Sequence, residues 1–391
     1  MSSSRQKGGR HLAKYHGLLN QGATCYLNSV LQVLFMTKDF REAVESYSCD
    51  NDCMDRRLKR LFDKLRTGKT NTLDITKILC IKKVHEQHDA AECFEKILTY
   101  LTCAHASNIF QGRLTHENTC SSCSNKSVTN GPFWSLPLEL VKSQEKTYTV
   151  VEGISKYFTA LAVSGSNQIY CDECAAKSDA TNEFVINEHP EVLTLLLKRF
   201  KFDDRRMEHV KINCSVEVPY TLQIPESQTY DLYAFVDHFG DLRGGHYTAT
   251  IKSQEDERWY NFNDTTVTPL RYPPFQVHDN KKRSQSAYLL FYRKKKMHAA
   301  DALTQDTRDA LTSKEEDCGK QRHEKIDRTG ADGGKKAACT TKGVTSAQSY
   351  TSHHQQNQQQ RQEKQIVGEV HGKTGGKRGK KKRQKTKRES R

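Results

Sequence analysis

Apolar residues recur with a helical period at three places in the first third of the chain and fall into shorter, broken runs after it. Leu27, Val30, Leu31 and Leu34 lie on one helical face. They predict a helix that opens at Cys25, directly after the small-residue loop Asn20, Gln21, Gly22, Ala23, Thr24. Leu58, Leu61, Phe62 and Leu65 predict a second helix, closed at Gly68 by a left-handed cap. A third runs over residues 89–101, with Ala90, Phe94, Ile97, Leu98 and Leu101 on one side. Together they predict a helical subdomain built around the first helix. From Phe110 the runs are broken by Gly, Ser, Asn and Pro, and strands are the better reading. The plainest are residues 192–197, 230–236, 247–251 and 287–292, and the folded part is expected to close at the basic turn 293–296.

Beyond residue 297 the chain is Ser, Thr, Gln, Gly and charge, with a glutamine-rich run at 355–362. Such a segment buries too little apolar surface to offset its ordering entropy, so it is expected to be disordered, with Cys318 and Cys339 as plain thiols. The low hydrophobic fraction of the 391 residues, 35%, fits a chain that is only partly folded. Residues 301–391 hold 22 Lys and Arg against 12 Asp and Glu, so +10 of the formal +15 belongs to this tail. Its cluster at 373–391 reads as a nuclear or nucleolar import signal or as a phosphate-neutralising arm. No aromatic residue is interleaved with it, which argues against base stacking. Deleting 373–391 is expected to move the protein from nucleus to cytoplasm and leave activity intact.

No stretch approaches a membrane span, and the polar opening lacks the apolar core of a signal peptide. An intracellular protein, nuclear and cytoplasmic, is expected. Its 13 cysteines are therefore read as thiols, metal ligands or a nucleophile before disulfides.

Cys25 is the candidate nucleophile. A helix N-terminus favours an anion and draws the thiol toward thiolate. Asn20 offers an amide that, with the Cys25 N–H, would form an oxyanion hole. Alone, Cys25 would read more readily as a buried structural thiol, because a nucleophile needs a base and an orienter. Gly244-Gly245-His246-Tyr247 supplies a histidine at the start of a strand. Trp259-Tyr260-Asn261-Phe262-Asn263-Asp264 supplies an amide and a carboxylate one hairpin later. Cys, then His, then Asn or Asp in that order is a cysteine-protease constellation. Cys120 and Cys123, with Cys171 and Cys174, make two Cys-x-x-Cys knuckles suited to a structural Zn2+ site; the alternative is two unrelated thiol pairs.

These boxes, together with Gln87-His88-Asp89-Ala90-Ala91-Glu92, Leu197-Lys198-Arg199-Phe200 and Ala287-Tyr288-Leu289-Leu290-Phe291-Tyr292, resemble the ubiquitin-specific proteases over about residues 15–293. The resemblance implies an α+β, papain-like domain at 15–296. It would comprise a thumb (15–108), zinc-ribbon fingers (109–185) and a palm (186–296), between a flexible 1–14 and the tail 297–391. It also implies a deubiquitinase with Cys25 as nucleophile, Asn20 in the oxyanion hole and His246 as general base. Asn263 or Asp264 would be the orienter. Asp89 and Glu92 would meet the arginines of ubiquitin's tail, although they also read as a helix cap and an early-turn acid. Gly244 and Gly245, followed by Tyr247, would floor a channel for a Gly-Gly terminus. The expected partners are ubiquitin and ubiquitinated proteins, with an import receptor or nucleic acid on the tail and no membrane. A protease for another Gly-Gly-ending modifier and an inactive ubiquitin-binding scaffold are the alternatives.

Overall fold

A computed structural model describes residues 14–49, 52–140, 147–203, 207–224, 228–241, 244–275 and 280–295. The N-terminal segment 1–13 and the tail, with its two cysteines, lie outside the described residues. The first predicted helix is Cys25–Met36, and all twelve of its residues are buried. A one-sided stripe was the expectation. The helix is instead enclosed all round, because it lies between the helix Ala90–Thr99 and the palm strands Gln228–Gly240, Gly245–Lys252 and Trp259–Asn263.

The second predicted helix is Met54–Thr67, and its four apolar positions are buried. Gly68 does follow it, but with φ 178° and ψ 177° it is extended, which corrects the left-handed cap. The chain leaves the helix straight because Thr70 then pairs with residues 17–19. Its N–H donates to the Gly17 carbonyl at 3.3 Å, and its carbonyl accepts from the Leu19 N–H at 2.8 Å. Further helices, Lys38–Ser46, Leu73–Ile78 and Ala104–Asn108, complete this lobe. Edge-to-face contacts among Phe40, Phe62, Phe94 and Phe110 run on to Phe291 in the palm. Each fully buried phenylalanine contributes about 1.5–3 kcal/mol of burial free energy.

One further correction concerns the cysteines. Cys49 and Cys53, four residues apart ahead of the helix Met54–Thr67, are joined by a disulfide.

The palm is a sheet whose strands run Thr266–Pro269, Trp259–Asn263, Gly245–Lys252, Gln228–Gly240, Ala287–Lys294, Val192–Lys198 and Leu136–Glu139, with Thr221–Ile224 pairing Gln228–Gly240. Every pairing in it is antiparallel except the last two, Val192–Lys198 with Leu136–Glu139. Its middle strand is buried on both faces. Tyr233, Ala234 and Val236 join the core shared with the helices, and Tyr230, Leu232 and Phe235 join a second core beneath.

The fingers sheet is Lys126–Phe133, Gly112–Cys120, Ala180–Glu188 and Leu161–Val163, with the small ribbon Ile169–Cys171 and Ala176–Ser178. Between Phe110 and Glu191 the chain is not strand throughout, as the broken apolar runs had implied. Val150–Phe158 is a helix: the Thr149 hydroxyl caps the Glu152 N–H, and Val150 and Ile154 bury one turn apart in the second core. Leu136–Glu139 pairs with the palm, so this part of the segment packs on the palm sheet.

Candidate active site

The loop before the nucleophile helix is organised by one side chain. The Asn20 carboxamide oxygen accepts from the N–H groups of Gly22 (2.9 Å) and Thr24 (3.0 Å), and the Thr24 hydroxyl accepts from the Gln21 N–H at 2.9 Å. Gly22 takes φ +136°, and a side chain there would collide with His85. With its oxygen fixed, Asn20 aims its amide nitrogen across the cleft at Asp264, where Nδ2 donates to Oδ2 at 3.0 Å. Oδ1 of the same carboxylate accepts from Nδ2 of Asn28 at 2.8 Å, one turn into the helix. Asp264 sits at φ +47°, a left-handed position that aspartate tolerates better than most residues.

The other half of the constellation is on the palm. Nε2 of His246 lies 2.8 Å from Oδ1 of Asn263. With the amide oxygen as acceptor, Nε2 carries the proton and Nδ1 keeps its lone pair. The carboxylate of Asp264 goes to Asn20 and Asn28, so the two candidate orienters have different partners.

Cys25 is 2% exposed, and the backbone N–H of Tyr247 faces its thiol. Burial pushes the Cys25 pKa up; the Asp264 charge adds to this, and the N–H groups of Tyr247, Tyr26 and Cys25 oppose it. The sequence-based expectation was a pull toward thiolate, and burial acts in the opposite direction. The helix end is present, but desolvation outweighs it.

Asp89 caps the helix Ala90–Thr99: its Oδ1 accepts from the N–H of Ala91 at 2.6 Å and of Glu92 at 3.2 Å. Oδ2 accepts from the Tyr288 hydroxyl of the palm. Burial holds the Asp89 carboxyl above its ordinary value. Glu92 is exposed, and it borders a groove of about 340 Å3 with Asp89, Tyr26, Cys80, His88 and Lys96. The cap reading of Asp89 therefore describes its carboxylate, and Glu92 is the acid that faces outward.

Gly244 and Gly245 differ in the space around them. A side chain at Gly244 would meet nothing, whereas a Cβ at Gly245 would fall 2.2 Å from Nε2 of His238, on the interior side. Glycine is required at 245 by inward packing. The sequence reading gave no role to Gln87, Asn28, His238 or Tyr288. Gln87 and Tyr288 stood inside recognised boxes, and only the long-range pairing reveals their partners.

At the tip of the fingers Cys120, Cys123, Cys171 and Cys174 bring their sulfurs within 4.8 Å of one another, with Cys120–Cys174 at 3.9 Å and Cys123–Cys171 at 3.6 Å. A tetrahedral ion with Zn–S bonds near 2.3 Å would set its sulfurs about 3.8 Å apart. Ser124 and Ala175, each just past a knuckle, take left-handed φ of 59° and 50° and turn the chain back around the sulfurs. The cluster fits a metal ion held by protein ligands alone.

A buried helix that starts at a cysteine faces a strand whose histidine is held by an asparagine amide, an arrangement suited to nucleophilic chemistry at the cysteine. The comparison with known families is specific: the family model for ubiquitin carboxyl-terminal hydrolase matches residues 16–292. The chain belongs to that family. Its relatives include ubiquitin carboxyl-terminal hydrolase 5 of Schizosaccharomyces pombe, 29% identical over 347 residues that cover 76% of this chain and 31% of that protein. Ubiquitin carboxyl-terminal hydrolase 15 of the same yeast is 33% identical over 282 residues, covering 65% and 24%. Ubiquitin carboxyl-terminal hydrolase 47 of Homo sapiens is 25% identical over 378 residues, covering 72% and 28%. The matched region thus spans about a quarter to a third of these relatives.

Proposed function

We propose that the chain is a cysteine deubiquitinase that hydrolyses the thioester, peptide or isopeptide bond at the C-terminal glycine of ubiquitin. The observation that carries this reading is the His246–Asn263 pair at 2.8 Å, on a strand whose next residue turns its N–H to the Cys25 thiol. Burial raises the Cys25 pKa, so in this reading the thiol proton is removed as attack begins. Nδ1 of His246 takes it, the Cys25 sulfur bonds to the glycine carbonyl carbon, and the carbonyl π electrons move onto oxygen. The Asn20 amide and the Cys25 N–H receive this oxyanion. When the intermediate collapses the C–N bond breaks, and the imidazolium gives its proton to the departing lysine amine. Water then attacks the thioester and gives a proton to His246. The C–S bond breaks and the sulfur takes that proton back.

In this reading Asn263 orients the histidine and Asp264 holds Asn20. Glu92, exposed beside the groove, supports contact with arginines of the ubiquitin tail. Asp89 shapes that site from its place in the helix cap. Gly244, Gly245 and Tyr247 border the approach of the tail. The metal of the fingers is read as zinc, bound by Cys120, Cys123, Cys171 and Cys174, and its task is to keep the fingers shaped for the body of ubiquitin. The basic cluster 373–391 is read as an import signal, which the deletion described above tests.

The deciding experiment is covalent labelling of the full chain by ubiquitin carrying a C-terminal electrophile, beside a panel of ubiquitin-like modifiers and a Cys25→Ser control. The expected result is a ubiquitin adduct that the control lacks. Labelling by another modifier alone would change the substrate, and no labelling would favour a binding scaffold.

A further inference from the structure

The strand that carries His246 is paired along its outer edge with Trp259–Asn263 only from Ala249 onward, where Ala249 faces Phe262. Along such an edge the outward N–H and C=O groups recur at every second residue. Tyr247 and Gly245 come next on that edge, beyond the reach of the neighbouring strand, and the thumb supplies partners for both. The Tyr247 N–H faces the Cys25 thiol. The Gly245 N–H donates to Oε1 of Gln87 at 3.0 Å, and the Gly245 carbonyl accepts from Nε2 of the same side chain.

Gln87 stands two residues before the cap of the helix Ala90–Thr99, so this double bond joins thumb to palm across 158 residues of sequence. On its other side Gly245 is backed by the imidazole of His238, which is 1% exposed and packed on Tyr247 with ring centroids 4.5 Å apart. His246 is thereby bracketed: the residue before it is gripped by Gln87, and the residue after it lies against the helix that opens at Cys25.

We propose that Gln87 is a positioning residue for His246. Its carboxamide completes the strand edge at Gly245, fixes the height of the histidine strand against the thumb, and so sets the imidazole relative to the thiol before substrate arrives. The proposal rests on the reading of His246 as general base. A primary amide suits the task because it presents an acceptor and a donor side by side in one plane, matching the C=O and N–H of a single residue. A glutamate carboxylate presents two acceptors and faces the Gly245 carbonyl with a negative oxygen. Once protonated, a glutamic acid again offers one donor and one acceptor.

The test compares wild type, Gln87→Ala and Gln87→Glu on ubiquitin bearing a C-terminal fluorogenic amide, with thermal unfolding measured on each. For Gln87→Ala, kcat should fall roughly ten- to a hundred-fold, the scale set by small misplacements of a reacting group, with KM little changed. Gln87→Glu should be impaired at pH 8, and its activity relative to wild type should climb as the pH falls and the carboxyl protonates. The titratable neighbours, Glu86, His88 and Asp89 on the thumb and His238 and His246 on the palm, are the same in both proteins, so their effects largely cancel in that ratio.

A wild-type kcat in Gln87→Ala, a gain of activity, or a flat Gln87→Glu ratio would overturn the proposal. If wild type fails to turn over ubiquitin, the deubiquitinase reading fails separately. The pH profile of Cys25 alkylation then decides: it must differ between wild type and Gln87→Ala, and identical profiles overturn the positioning role.

Discussion

Asp264→Asn separates the two residues that compete for the role of orienter. The substitution keeps the shape and a residue type that tolerates φ +47°, so the turn survives. It replaces one carboxylate oxygen by an amide NH2 and removes the charge. Asp264 accepts from Asn20 at 3.0 Å and from Asn28 at 2.8 Å, both through NH2 groups, and an asparagine can satisfy only one of them. The other meets donor against donor. Losing a hydrogen bond to a charged acceptor costs about 1.5–3 kcal/mol, and if that loss is felt as misdirection of the oxyanion donor, kcat falls by roughly ten- to a hundred-fold. The ceiling is the loss of the donor itself, about 10²–10³ in kcat.

The assay is a double-mutant cycle with Asn20→Ala, following kcat and KM on a ubiquitin C-terminal amide. If Asp264 acts through Asn20, each single variant loses activity and the double variant loses little more than Asn20→Ala alone. The charge works in the opposite direction on the thiol. Asp264 raises the Cys25 pKa, so alkylation of Cys25 in Asp264→Asn should reach its plateau at a lower pH than in wild type. Strictly additive losses in the cycle would refute the argument and return Asp264 to the histidine.

Two further outcomes follow from the same geometry. A chelator should release zinc from the native chain, and Cys120→Ser should lower its metal content. Ubiquitin affinity should weaken before kcat changes, and an unchanged metal content in Cys120→Ser would remove the ribbon assignment. Burial, with the nearby charges of Lys211, Arg199 and His246, pushes the His238 pKa down to about 4 from 6.5. Between those values the unfolded chain binds a proton that the folded chain refuses, so this part of the stability is full above pH 6.5 and falls as the pH drops toward 4. His238→Asn should therefore lose less stability than wild type between pH 7 and pH 5 in denaturant unfolding, and equal losses would contradict the assignment.

What the sequence made legible was local. The helix that opens at Cys25 was legible because Leu27, Val30, Leu31 and Leu34 carry its period. The knuckles were legible because each delivers two sulfurs from one short turn. Its burial on every side was not legible, because the faces opposite the stripe are covered by strands more than 200 residues away. Long-range packing also hid the helix Val150–Phe158, whose apolar residues read as another broken run until the second core is seen to receive them. The disulfide Cys49–Cys53 also escaped, since the expected reducing surroundings argued against it.

The residues proposed as catalytic and their supports divide along the same line. Cys25, His246 and Asn263 each sit in a distinctive local box, whereas the groups that aim them bond across the cleft: Asp264 to Asn20 and Asn28, Gln87 to Gly245, and Tyr288 to Asp89. Each of these ties runs from palm to thumb, and none has a sequence period or a fixed spacing to announce it. Each also satisfies polar groups at the cleft: the Asn20 amide nitrogen, the strand edge at Gly245, and the Asp89 carboxylate oxygen that the helix cap leaves over. The cleft is therefore held by bonds that its own backbone and caps require. A substitution at any one of the three should be felt at the other side of the cleft before it is felt in the stability of either lobe.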